Sequence, residues 1–301
     1  MYDAFVTGAS GFIGFHLLKY LLKKDKKIVA SYNNSNDRLS NFRRIKKVKW
    51  DITKKLEIIP SCKVWYHLAS LTDINACNNN PKLAYNINTY SIRNVIQHAE
   101  KSNCRVFIFV STLGVYGEPI YFPVDEKHPV KPIEIYSLSK SKAETQLKNM
   151  QGSIKKKVIV RLFNTFGPGQ NQNMLIPNII NQIHKKTTVQ LNNLHQTRDF
   201  LYVSDIVNGL FLAAKHGKNN EIYNLGSGFE TSIEKLISII KSVTDNNFKV
   251  LCKDDKSQKH KSVSRSQADI NKAFKYLTWN PTISLKEGIK LTLKHSKYLE
   301  D

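Results

Sequence analysis

The chain has 301 residues, enough to bury a sizeable core in one large domain or in two that share an interface. Its composition, 41% hydrophobic and 10% aromatic, is that of a globular protein, and no apolar run reaches the roughly 18 residues that span a bilayer. Lysine supplies most of the formal charge of +22, in runs too interrupted and too poor in aromatics for a nucleic-acid groove, so a solvated surface is expected and nucleic acid is not an expected partner.

The N-terminal "MYDAFVTGASGFIG" opens with an acid and turns glycine-rich at once. That is unlike a secretory leader, and a cytoplasmic location is expected. "DAFVTGA" reads as a first strand and "IGFHLLKYLLKK" as an amphipathic helix with Phe15, Leu17, Leu18, Leu21 and Leu22 as its apolar positions. The short apolar segments "KIVASY", "KVKWDI", "KVWYHLA", "RVFIFVST" and "KVIVRLFN" read as further buried strands. Helical stretches such as "PKLAYNINTYSIRNVIQHAEKS" separate most of them, the pattern of β-α units around a parallel sheet. After about residue 165 the texture changes to "GPGQNQN" and mixed segments, with one return to the sheet expected around "DIVNGLFLAAKHG". Cys62, Cys77, Cys104 and Cys252 are scattered without CxxC spacing, so reduced thiols are expected, with no disulfide framework and no metal site.

Directly after the first strand stands "TGASGFIG", with Gly8, Gly11 and Gly14 spaced GxxGxxG. Gly8 permits a tight exit from the strand, Gly11 lets backbone approach a pyrophosphate, and Gly14 allows close packing of the helix. The helix that follows directs its positive N-terminal dipole at phosphate groups. A dinucleotide site follows from that placement. At the end of the second strand, where an acid would select NAD, the chain has Tyr32 and Asn33; Arg38 nearby suits a 2′-phosphate, so NAD and NADP both stay open. Asp51 in "WDI" is placed either to accept from an adenine amino group or to shape a strand-end turn.

Tyr136 and Lys140 in "YSLSK" are four residues apart, one helical turn on one face. Tyr20 and Lys24 share that spacing, so spacing alone does not select a catalytic pair. The surroundings select it. The ordered set "VTGASGFIG", "WDI", "VWYHLAS", "FVSTLGVYGEP", "YSLSKSKAE", "RLFNTFGPGQ", "LIP", "QTRDFLYVSDIV", "IYNLGSG" and "ADINKA" resembles the extended short-chain dehydrogenase/reductases, specifically the NAD-dependent nucleotide-sugar epimerase/dehydratase group. The likeness runs almost end to end.

The resemblance implies an α/β fold: a Rossmann-type, doubly wound parallel sheet with a smaller C-terminal substrate-binding domain. Residues 1–165, with a returning segment near 200–216, would form the dinucleotide-binding domain, and 166–301 mainly the nucleotide-sugar domain. It implies that Tyr136 is the catalytic base, Lys140 its charged neighbour, and Thr112 the hydroxyl that contacts the sugar oxygen. An ammonium beside the phenol would bring its pKa down from about 10. Cofactor contacts implied by the matching motifs include Ser10, Phe12, Ile13 and Ile52. Leu68, Ala69, Ser70, Ser111 and Phe163 belong to the same implied set. On the substrate side the matches give Asn164, Leu175 and Arg198, the last pairing with the diphosphate. Arg265 stands in for a second arginine whose usual Arg-Pro-Gly-Asp setting is missing. His67 reads as a packed strand-end residue.

Chemistry in the resembling group starts with oxidation at C4 of the sugar. Where the 4,6-dehydratases carry Asp-Glu after the threonine, this chain has Leu113 and Gly114, neither able to transfer a proton. The expected activity is therefore a nucleotide-sugar 4-epimerase working through a transient 4-keto intermediate with bound NAD. An NAD(P)H-dependent 4-ketoreductase of a nucleotide-linked deoxysugar is the alternative. A homodimer is expected by analogy only.

Overall fold

Short runs rich in valine, isoleucine, phenylalanine and tryptophan form the strands, and the amphipathic stretches between them cover the sheet that results. A computed structural model describes residues 1–35, 37–185, 188–192, 194–252 and 263–295. The first part of the chain runs β1 (Tyr2–Thr7), α1 (Phe12–Lys23), β2 (Ile28–Tyr32), β3 (Ile45–Lys49), β4 (Cys62–His67), α2 (Ile74–Asn79) and α3 (Pro81–Tyr85). It continues with α4 (Ser91–Lys101), β5 (Val106–Thr112), α5 (Ile135–Asn149) and β6 (Lys156–Leu162). The stretch expected as one long helix from residue 81 divides: a π-helical turn, Asn86–Tyr90, separates α3 from α4.

The second part holds β7 (Asn164–Phe166), α6 (Leu175–Lys185), β8 (Thr188–Leu191), β9 (Thr197–Arg198), β10 (Phe200–Tyr202) and α7 (Val203–His216). After these come β11 (Ile222–Leu225), β12 (Thr231–Ser232), α8 (Ile233–Thr244), β13 (Lys249–Cys252), α9 (Asn271–Leu277) and α10 (Leu285–Lys294). The lysine run from Lys249 begins on β13, and its remainder, 253–261, lies outside the described residues.

Seven strands form one parallel sheet in the order β11-β6-β5-β4-β1-β2-β3, the expected Rossmann fold. The segment expected to return to the sheet does so as a helix, α7, packed beside α1; the strand that returns is β11, pairing Tyr223 with Val160. Side chains alternate between the two faces as a pleated strand requires. Ala4 and Val6 enter the core with Leu17, Leu210 and Trp279, whereas Phe5 enters the opposite core with Trp65, Val95 and Leu147. Phe5 stacks on Trp65 at 4.0 Å. A third cluster, built from Phe166, Ile179, Val189, Leu236 and Ile289, lies away from the sheet in the second part of the chain. Three small two-stranded ribbons, β7 with β10, β9 with β12 and β8 with β13, hold that part together.

Trp279 ties the C-terminal region back onto the sheet. It is fully buried and its indole N–H donates to Asp205 O at 2.9 Å. Trp279→Ala is expected to cost about 3–5 kcal/mol, read as a lower urea midpoint at unchanged slope.

Candidate active site

The turn between β1 and α1 is shaped by close backbone approach. Gly8 has φ +65°, and a Cβ there would lie 2.7 Å from Ala69 N, so no side chain fits between the turn and the end of β4. At Gly14 a Cβ would lie 2.3 Å from Gly8 O, which means the helix packs directly on the turn. Gly11 meets only Gly8 O, at 3.1 Å, and leaves its other side open. No side chain caps the N-terminus of α1, so its first N–H groups are available to an anion. These residues fit the pyrophosphate of a dinucleotide. Ser10 and Ile13 flank the same turn, half-buried, and Phe12 packs toward the third cluster.

Beneath the turn, Thr7 and His67 lock β1 to β4. Thr7 Oγ1 accepts from Leu68 N and Ala69 N at 3.1 and 3.2 Å, leaving its own proton for His67 Nδ1 at 2.8 Å. Nδ1 is thereby an acceptor. Burial, with the Lys140 ammonium adding to it, pulls His67 down to about 3, and the ring stacks on Phe109 at 5.8 Å. His67 is the packed neutral residue that was expected.

At the far end, Tyr32 closes β2 and Asn33 is exposed. Arg38 donates to Gly169 O at 2.9 Å, spanning from the loop after β2 to the segment after β7. Asp51 accepts from Thr53 N and Thr53 Oγ1 at 3.0 and 2.7 Å and faces Lys54 at 3.8 Å, so one carboxylate oxygen shapes the strand-end turn. Ile52 is buried in the second core.

The end of β5 and the start of α5 come together. A Cβ on Gly114 would lie 2.3 Å from Ser137 Oγ and 3.6 Å from Thr112 Oγ1, which puts Thr112 against the residue that follows Tyr136. Thr112 Oγ1 accepts from Gly114 N at 3.2 Å, so its proton is free to donate. Tyr136 opens α5 and Lys140 follows one turn later, 2% exposed, with Nζ 4.0 Å over the Phe109 ring. Burial raises the Tyr136 phenol above its ordinary range, with Cys77 and Glu134 pushing the same way. The same burial pulls Lys140 down to about 7, opposed by Glu144. In the protein alone desolvation is the largest influence on the phenol and sets the direction of its shift.

Two residues missing from the sequence reading fix this helix. Asn88, in the π-helical turn, donates to Ser139 Oγ at 3.0 Å and to Leu71 O at 3.0 Å, and accepts from Ser70 Oγ at 2.8 Å. Ser139 Oγ donates to Tyr136 O at 2.6 Å. Asn88 thus joins the segment after β4, where Leu68, Ala69 and Ser70 lie, to the turn bearing Tyr136. The signal was present as two asparagines inside an otherwise amphipathic helix, "NINTY". Ser111 points its hydroxyl inward, donating to Glu144 Oε1 at 2.5 Å. Phe163 is buried with Val115 and Tyr116.

On the substrate side, Arg198 donates to two neutral oxygens, Thr197 O at 2.7 Å and Gln196 Oε1 at 2.8 Å, and burial lowers its pKa. Its neighbour Asp199 is fully buried and accepts from the backbone N–H groups of Ser227, Gly228 and Ala268. Burial, only partly offset by those donors, raises it to about 6. Arg265, expected to reach the diphosphate, instead forks onto Glu230 with two contacts of 2.7 Å and lies 4.3 Å over Phe122. Asn164 Oδ1 accepts from Ser266 Oγ at 3.3 Å, and Leu175 starts α6 against the third cluster.

Residues 4–226 match the family described as NAD dependent epimerase/dehydratase. A Methanocaldococcus jannaschii protein carrying the provisional name of UDP-glucose 4-epimerase is 32% identical over 97% of this chain and 97% of its own length. Human dTDP-D-glucose 4,6-dehydratase is 28% identical over 96% of this chain and 88% of its own. The structure of UDP-glucose 4-epimerase from Thermotoga maritima with UDP-glucose superposes with a TM-score of 0.91 and 26% identity, covering 99% of this chain and all of that one.

Lys140 has a thermodynamic consequence for the cofactor-free protein. Its folded pKa, about 7, lies below the ordinary lysine value of 10.5 that stands for the unfolded chain, so between these values unfolding takes up a proton and stability rises with pH. The cost of the buried amine is greatest at and below pH 7. Lys140→Met is expected to raise the melting temperature at neutral pH, and the gain should shrink toward pH 10 in a thermal-shift series.

Proposed function

Because the chain belongs to the NAD dependent epimerase/dehydratase family, we propose that it is a nucleotide-sugar 4-epimerase that works through a transient 4-keto sugar. As a family member it is NAD-dependent. One observation carries the choice of reaction: the turn after Thr112 holds Leu113 and Gly114 and so offers no acid. A side chain at position 114 would meet the Ser137 hydroxyl and require that serine to move.

Tyr136 takes the proton of the sugar C4 hydroxyl, and Thr112, with its hydroxyl proton free, donates to the same oxygen. Lys140 supplies positive charge one turn along the helix, which favours the ionised phenol that burial alone opposes. NAD, when bound, supplies the hydride acceptor and a second positive charge on its oxidised ring. The 4-keto sugar then turns, and reduction on its other face returns the proton from Tyr136 to the oxygen, leaving the cofactor unchanged overall. Arg198, whose hydrogen-bond partners among the described residues are neutral oxygens, is the guanidinium offered to the diphosphate. The likeness to proteins named for UDP-glucose makes UDP-hexoses the first substrates to try.

One observation favours a second reading, an NAD(P)H-dependent 4-ketoreductase. No carboxylate stands at Tyr32 or Asn33 to select against a 2′-phosphate. Incubation with UDP-, GDP- and dTDP-hexoses separates the two: a changed sugar without net cofactor consumption identifies the epimerase, and stoichiometric loss of NAD(P)H on a 4-keto sugar identifies the reductase.

Tyr136→Phe is expected to lower kcat by at least about 10²–10⁴-fold while NAD binding, measured by calorimetry, stays nearly unchanged. Full residual turnover would refute the assignment. Arg198→Ala should raise KM for the nucleotide sugar by about 10–100-fold with little change in the NAD Kd; equal effects on both would remove it from the substrate site.

A further inference from the structure

Helix α5 carries a second buried charge one turn beyond Lys140. Glu144 is 4% exposed and Arg161, on β6, is 3% exposed. Arg161 grips the carboxylate with two bonds, Nε to Oε1 at 3.1 Å and Nη2 to Oε2 at 2.6 Å, and Ser111 Oγ donates to Oε1 at 2.5 Å. Ser111 immediately precedes Thr112 and pairs in register with Arg161 across β5 and β6. Beyond Arg161, the Tyr116 ring lies 4.6 Å from the guanidinium, and its hydroxyl donates to Asn224 Oδ1 at 2.6 Å. One carboxylate therefore touches the strand ending in Thr112 and the helix bearing Tyr136 and Lys140, and through Arg161 it reaches the turn after Thr112.

Stability is a poor reason for such a pair. Taking two charges out of water costs several kcal/mol each, and well-packed apolar residues of similar volume often do as well or better. What an apolar pair cannot provide is a negative charge beside Lys140. The titratable groups around that lysine are few: neutral His67 from β4, Tyr136 and Glu144 on its own helix, and Arg161 behind Glu144, with Cys77 of α2 beyond the tyrosine. Lys140 itself rests on the Phe109 ring. Among these, Glu144 is the group that favours the ammonium, and burial is what opposes it.

We propose that the Glu144–Arg161 pair is a positioning element of the reaction: Glu144 is the counter-charge of the Lys140 ammonium, and its bond to Ser111 sets Thr112 against Tyr136. The reaction half of this inference rests on the function proposed above; the charge coupling does not. Arg161 and Ser111 fix the carboxylate in place one helical turn from Lys140.

Glu144→Gln leaves the Arg161 charge buried without its counter-charge, a change that endangers folding, so the paired replacement Glu144→Gln/Arg161→Met is the principal variant. A stability cycle tests the coupling without substrate or cofactor. The gain in melting temperature from Lys140→Met at pH 7 should be larger in the paired background than in the wild type, because the amine there lacks its counter-charge; equal or smaller gains overturn the proposal. With NAD bound, the ionisation of Tyr136, read as the near-ultraviolet difference between each protein and its Tyr136→Phe derivative, should move to higher pH by about one unit, a tenfold change in the constant. No shift overturns the link to the tyrosine. Ser111→Ala keeps every charge and should lower kcat about tenfold at an unchanged ionisation pH; unchanged kcat overturns the positioning of Thr112. A positive stability cycle in a protein whose Tyr136→Phe variant still turns over would leave the coupling standing and refute the assigned function.

Discussion

An amine enclosed in a nearly dry interior is the constraint to which the rest of the site answers. Lys140 sits over Phe109 at 2% exposure, where desolvation disfavours its charge. In the proposed reaction, proton transfer at the Tyr136 phenol needs that charge, so the surroundings must hold it. Helix α5 is accordingly tied on both sides. Asn88 and Ser139 fix the turn of Tyr136 to the segment after β4, and Glu144 fixes the next turn to β5 and β6. A site that holds an unfavourable charge in place is one where activity and stability pull apart.

Much of this was legible in the sequence, and for reasons that can be stated. Short apolar strands in a parallel sheet are buried on both faces, so their runs stand out from the amphipathic helices. The glycine turn announces itself because only glycine can bring Gly8 against Ala69 and Gly14 against Gly8. Tyr136 and Lys140 were singled out by their context, since their spacing recurs at Tyr20 and Lys24, where the structure shows a tyrosine bonded to Asn208 between α1 and α7. What stayed hidden depends on contacts between distant elements. Glu144 and Arg161 meet across a helix and a strand, and their only local trace is a charge inside the apolar run "VIVRLF". Arg265 was matched to a substrate arginine by its place in the chain, where its fork onto Glu230, a partner 35 positions away, leaves no local trace.

The large positive charge also acquires a place. The outer strand β3, "IKKVK", carries Lys46, Lys47 and Lys49 along an edge of the sheet. Lysines on an outer strand deter another sheet from pairing there. Part of the basic surface thus serves the fold itself, as the interrupted runs suggested.

The opposite edge has a different history. Val160 waits for Tyr223, its neighbour in β11, across the whole of the chain that builds the third apolar cluster up to α7. During synthesis that gap, roughly 60 residues at ~5–20 per second, amounts to several seconds. Through that interval the outer edge of β6 leaves the ribosome as a bare rim, so completion of the seven-stranded sheet is timed by translation of the segment between β6 and β11.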